Sequence, residues 1–162
     1  SETAAGAAEL LKTALLVSRE NFRVVTLEKF LSGFHRTFID RGMRPPLLSI
    51  EDRLPEVMII PETILQAVSI LCMNLSPESV VSLAASTRDA DGENHAVLKL
   101  TGLGESFTRD DLNQGIKNLQ QGLLDSFAQL AVIAGILEVS GCRVEPTLED
   151  GVHLVFNQPV VI

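Results

Sequence analysis

Apolar residues recur along this chain in two rhythms, one helical and one alternating, and their order sketches a fold. From Glu2 to Arg19, Ala7, Leu10, Leu11, Ala14, Leu15 and Val17 form a helical stripe that Asn21 and Phe22 interrupt. A second helix is predicted from the N-cap Thr26 to about Asp40, with Leu27, Phe30, Leu31, Phe34 and Phe38 on one face. Gly42 and Pro45-Pro46 end it. Leu47 to Ile50 and Val57 to Ile60 read as short strands. Pro61 then opens a helix through Ile64, Leu65, Val68, Leu71, Cys72 and Leu75 that stops at Ser76-Pro77. Two β runs follow, Val80–Ala84 and Ala96–Leu100, joined by a polar segment whose Asp91-Gly92 step marks a hairpin. Thr108 with Asp111 three residues later forms a capping signal for the next helix. A long apolar helix is predicted over Leu123 to Val139, with Phe127, Leu130, Ala131, Ala134 and Leu137 in the core and Gly141 as its C-cap. Arg143–Glu145 and Val152–Phe156 close the chain as a second hairpin around Glu149-Asp150-Gly151.

Helices gathered between hairpins, without strict strand–helix alternation, imply an α+β fold: a two-layer sandwich with a mixed sheet, helices on one face and an N-terminal helix. At 162 residues and 46% hydrophobic, the chain can bury a substantial core. The net charge of −8, with Lys and Arg scattered, argues against nucleic-acid binding. No run approaches the length of a membrane span, and the first residues lack the basic start of a signal peptide. Two cysteines, Cys72 and Cys142, make no disulfide framework, which suits a reducing cytoplasm. With seven Phe and neither Trp nor Tyr, aromatic cages and base-stacking platforms are not expected.

Catalytic signatures are sparse. His35, His95 and His153 do not stand at metal-ligand spacing, and no G-x-S-x-G or P-loop run is present. Glu105, Asp110 and Asp111 cluster after Gly102-Leu103-Gly104, where a helix N-terminus already favours acids. A Gly-x-Gly after a strand is, by itself, a turn.

The position of that Gly-x-Gly gives it further meaning. From Phe22 to Val161 the order of elements resembles the ATP-binding domain of sensor histidine kinases, the GHKL ATPase fold. Three stretches carry the likeness. Pro61 to Asn74 resembles the helix that usually reads Q-x-x-x-N-x-x-x-N, and Val97 to Gly104 resembles the strand and turn that usually read D-x-G-x-G. Phe127 to Val144 resembles the helix that opens G-L-G-L and closes G-G-x-I, with Pro159 near the family's terminal proline. The resemblance divides the chain into residues 1–20, resembling the tail of a dimerisation and phosphotransfer hairpin, and residues 21–162, the ATPase-like domain. No H-E-x-x-x-P-like phosphoacceptor run occurs around His35.

Against that pattern, Asn74, Gly102 and Gly104 stand at nucleotide-binding positions as a vestigial pocket. Ile70 replaces the asparagine that helps hold Mg²⁺, Leu100 replaces the adenine-reading aspartate, and Phe127 and Gln129 replace glycines that admit the phosphates. The resemblance therefore implies a degenerate, pseudokinase-like domain with no catalytic residues, no metal site and no cofactor. Such a module would serve bacterial two-component or phosphorelay signalling in the cytoplasm, alone or as the cytoplasmic part of a membrane-anchored parent. Its partners would be a response-regulator receiver domain or a partner histidine kinase, and it could form a homodimer through the N-terminal helix. The alternative is a divergent but active domain that binds ATP and Mg²⁺. A third reading is an unrelated α+β protein sharing only the order of elements.

Overall fold

Local signals set the ends of most elements, and the computed structural model describes residues 13–15, 17–50, 56–75, 80–90, 92–103, 107–145 and 151–157. The strands are β1 (Arg23–Thr26), β2 (Leu47–Ile50), β3 (Glu56–Ile59), β4 (Ser82–Ala90), β5 (Glu93–Thr101), β6 (Cys142–Glu145) and β7 (Val152–Phe156). The helices are α1 (Leu27–Asp40), α2 (Pro61–Leu75), α3 (Arg109–Gln120) and α4 (Ser126–Ser140), with a 3-10 turn at Arg19–Asn21. Thr26 caps α1 by accepting from Lys29 N, and Thr108 and Asp111 form a reciprocal capping box on α3. Gly141 ends α4 in the left-handed conformation.

A five-stranded mixed sheet runs β2-β4-β5-β7-β6, with β2 and β4 parallel and the other neighbours antiparallel. β1 and β3 form a separate antiparallel pair. One sheet face carries Leu83, Ala85, Ala96, Leu98, Leu100, Leu154 and Phe156 into a core shared with Phe34, Phe38, Val68, Leu71, Ile133 and Leu137 from the helices. The α+β sandwich expected from the pattern is the fold observed. Edge-to-face rings link Phe30 to Phe34 at 5.2 Å and to Phe156 at 6.3 Å, binding α1 to the sheet.

Several boundaries differ from expectation for physical reasons. β4 and β5 extend to Ala90 and from Glu93, so Arg88, Asp89 and Asn94 belong to the ladder rather than to a loop. Their polarity reflects the solvated end of a long hairpin. The hydrophobic pattern does not predict β1, because in Arg23-Val-Val-Thr26 only the half-buried Val25 faces inward. α4 begins at Ser126, after Asp125, because that carboxylate accepts the Ala128 N–H at 2.9 Å. Phe127 is 39% exposed and not a core residue, and Ala131 and Ala134 are half-buried, whereas Leu130 and Leu137 are buried as expected. Of the N-terminal stripe, Ala14 and Val17 pack against the core, so these two have an intramolecular partner, while Leu15 is exposed. The stripe's earlier residues lie outside the described ones.

Candidate functional site

On α2, Gln66, Ile70 and Asn74 recur every four residues and so share one helix face. That is the face on which the family resemblance would place nucleotide contacts. Each of the three has a partner within the chain. The Arg41 guanidinium donates to Gln66 Oε1. Ile70 is buried in the core. Asn74, at the exposed end of the helix, donates from Nδ2 to Gln129 Oε1 at 3.5 Å. Gln129 itself is 5% exposed on the first turns of α4, so Asn74 and Gln129 are the two candidate positions brought together.

Leu100 is fully buried, paired across the ladder with Leu83 on one side and Val152 on the other. It forms part of the core and presents no acceptor. Gly102 has φ +83, and a Cβ there would lie 2.8 Å from the Val80 carbonyl oxygen. The glycine is therefore required by the turn that carries the chain off β5 past Val80. Gly104 and Glu105 lie outside the described residues. Phe127 projects from the first turn of α4, partly exposed.

α3 is held against α4 by contacts that the hydrophobic pattern does not reveal. Gly115 on α3 sits so close to α4 that a Cβ would be 2.1 Å from the Phe127 carbonyl oxygen. Gln114 donates to Asn118 Oδ1 and Asn118 donates to Asp125 Oδ2, both at 2.7 Å. The Ala128 N–H, and then the Asn118 amide, hold the Asp125 carboxyl below its usual range. Asp125 directly before an apolar helix is the N-cap signal that could have revealed this latch. Asp111 belongs to the capping box and Asp110 is exposed on the first turn of α3.

Conventional chemistry is thin elsewhere. Among the described residues no group of three His, Cys, Asp or Glu side chains could hold a metal ion. His35 is exposed, His153 is half-buried, and the His95 Nδ1–H donates to the Phe156 carbonyl at 2.8 Å. Burial pushes the Cys72 and Cys142 thiols up to about 12, far from a reactive thiolate. A cavity of about 320 Å³ lies between Glu20, Asn21, Arg23, Ile60 and Glu62. Its α2 residue, Glu62, stands four positions before Gln66, one turn toward the helix N-terminus on the same face.

The opposite, outer face of the sheet carries an ion pair. Arg88 on β4 donates two hydrogen bonds, each 2.8 Å, to the Glu145 carboxylate on β6. β5 and β7 lie between those strands, so the pair crosses the face where the cross-strand partners Val97 and Val155 are buried. The Arg88 hydrogen bond holds the Glu145 carboxyl below its usual range. A lowered folded-state value means that this stabilisation is present above the unfolded-state value and is lost as pH falls through the folded one. Both side chains are more than one-third exposed, which limits the pair to about 0.2–1 kcal/mol. Urea midpoints near neutrality should therefore fall slightly in Glu145→Gln, and the difference from the parent chain should vanish on acidification. An unchanged difference at low pH would show that the pair is not its source.

No family model matches this chain, and no curated protein matches it. Solved structures do. It is similar to histidine kinase AdeS of Acinetobacter baumannii, with TM-score 0.52 and 15% identity over 94% of this chain and 75% of that one. The cytoplasmic segment of histidine kinase QseC is similar at TM-score 0.50 and 14% identity, over 93% and 87%. The catalytic domain of histidine kinase ThkA is similar at TM-score 0.52 and 14% identity, over 83% and 93%. The chain has the histidine-kinase ATPase fold.

Proposed function

We propose that this chain is a histidine-kinase-like ATPase domain without nucleotide chemistry, serving as a protein-interaction or scaffold module in two-component or phosphorelay signalling. Its partners would be a receiver domain of a response regulator or a partner histidine kinase, in the cytoplasm. Residues 1–20 would support self-association. The observation that carries this reading is the engagement of the nucleotide-facing positions by the chain itself: Gln66 by Arg41 and Asn74 by Gln129, with Ile70 and Leu100 in the core. An adenine amino group facing Leu100 would find no acceptor, and leaving a buried donor unpaired costs about 1–3 kcal/mol. Phosphates approaching the start of α4 would meet the side chains of Phe127 and Gln129 where glycines would leave the backbone N–H groups open. The α3–α4 latch adds support, since a segment tied down by Asn118 and Asp125 is poorly suited to move as a lid.

The expected result with Mg²⁺-ATP at millimolar concentration is an unchanged melting temperature and no calorimetric isotherm. A nucleotide present at 100 times its dissociation constant would instead stabilise the fold by about 2.7 kcal/mol. A micromolar dissociation constant for Mg²⁺-ATP would replace this reading with that of a divergent, active ATP-binding domain.

A further inference from the structure

We draw no further inference here: the strongest candidate, the exposed apolar patch of Ile116, Leu123, Leu124 and Phe127 on the α3–α4 hairpin, carries nothing because nothing in the structure shows what covers it.

Discussion

Phe34→Ala is expected to cost about 3–5 kcal/mol, a large part of the roughly 5–15 kcal/mol that holds a domain folded. Phe34 is completely buried and meets Phe30 and Phe38 edge-to-face at 5.2 and 6.3 Å. Truncation removes both ring contacts and leaves a cavity between α1 and the remainder of the core, and rigid neighbours cannot collapse to fill it. The urea midpoint should fall with an unchanged slope, the signature of lost stability rather than an altered unfolded chain. A loss under about 1 kcal/mol would mean that α1 does not lie over the sheet, and the arrangement of layers would be wrong.

The second large effect is expected at Gly115, and a sister glycine supplies the control. In a helix, Gly→Ala is worth up to about 1 kcal/mol in favour of Ala. Gly135 on α4 has open space where its Cβ would go, so Gly135→Ala should stabilise. Gly115→Ala should do the reverse, because its Cβ would stand 2.1 Å from the Phe127 carbonyl and 3.0 Å from the Ala131 Cβ. The obstacle includes backbone, so α3 must draw away from α4. Overpacking of this kind costs about 1–3 kcal/mol and sometimes more, which exceeds the propensity gain. Separation would also strain the Asn118–Asp125 bond and loosen the turn at residues 121–125, so faster proteolysis there should accompany the loss. Equal stabilisation at both glycines would show that α3 is not packed closely on α4.

The same contacts bear on the proposed function. Among the described residues, α3 is a capped helix packed on α4, with a close glycine contact and a polar chain at their junction. The exposed apolar residues around it, Ile116, Leu123, Leu124 and Phe127, are part of the same hairpin. On the proposed reading this hairpin would serve recognition of a partner, since a preformed surface loses little ordering entropy on binding.

Much of the fold was legible because its signals are local. The Leu27 to Phe38 stripe, the Thr26 and Thr108 caps, the Asp-Gly turn and the Gly141 stop depend on neighbours within a few residues, so periodicity and turn chemistry sufficed. Their order was enough to place the sheet, the layers and the resemblance. What the residues could not reveal was every decision made across the chain. β1 exists because β3, more than thirty residues later, supplies its ladder partner. Phe127 left the core because Asp125 shifted the start of α4 and Gly115 drew the adjoining backbone against α3. Leu100 and Ile70 could be read as lost contacts, yet only packing showed them as parts of one core. Asn74 and Gln129 stand 55 residues apart, and Arg88 and Glu145 stand 57 apart. Composition and periodicity carry no trace of such pairs. Sequence specifies local geometry through short-range sterics and hydrogen bonds, whereas which distant groups meet is settled when the apolar faces close on one another.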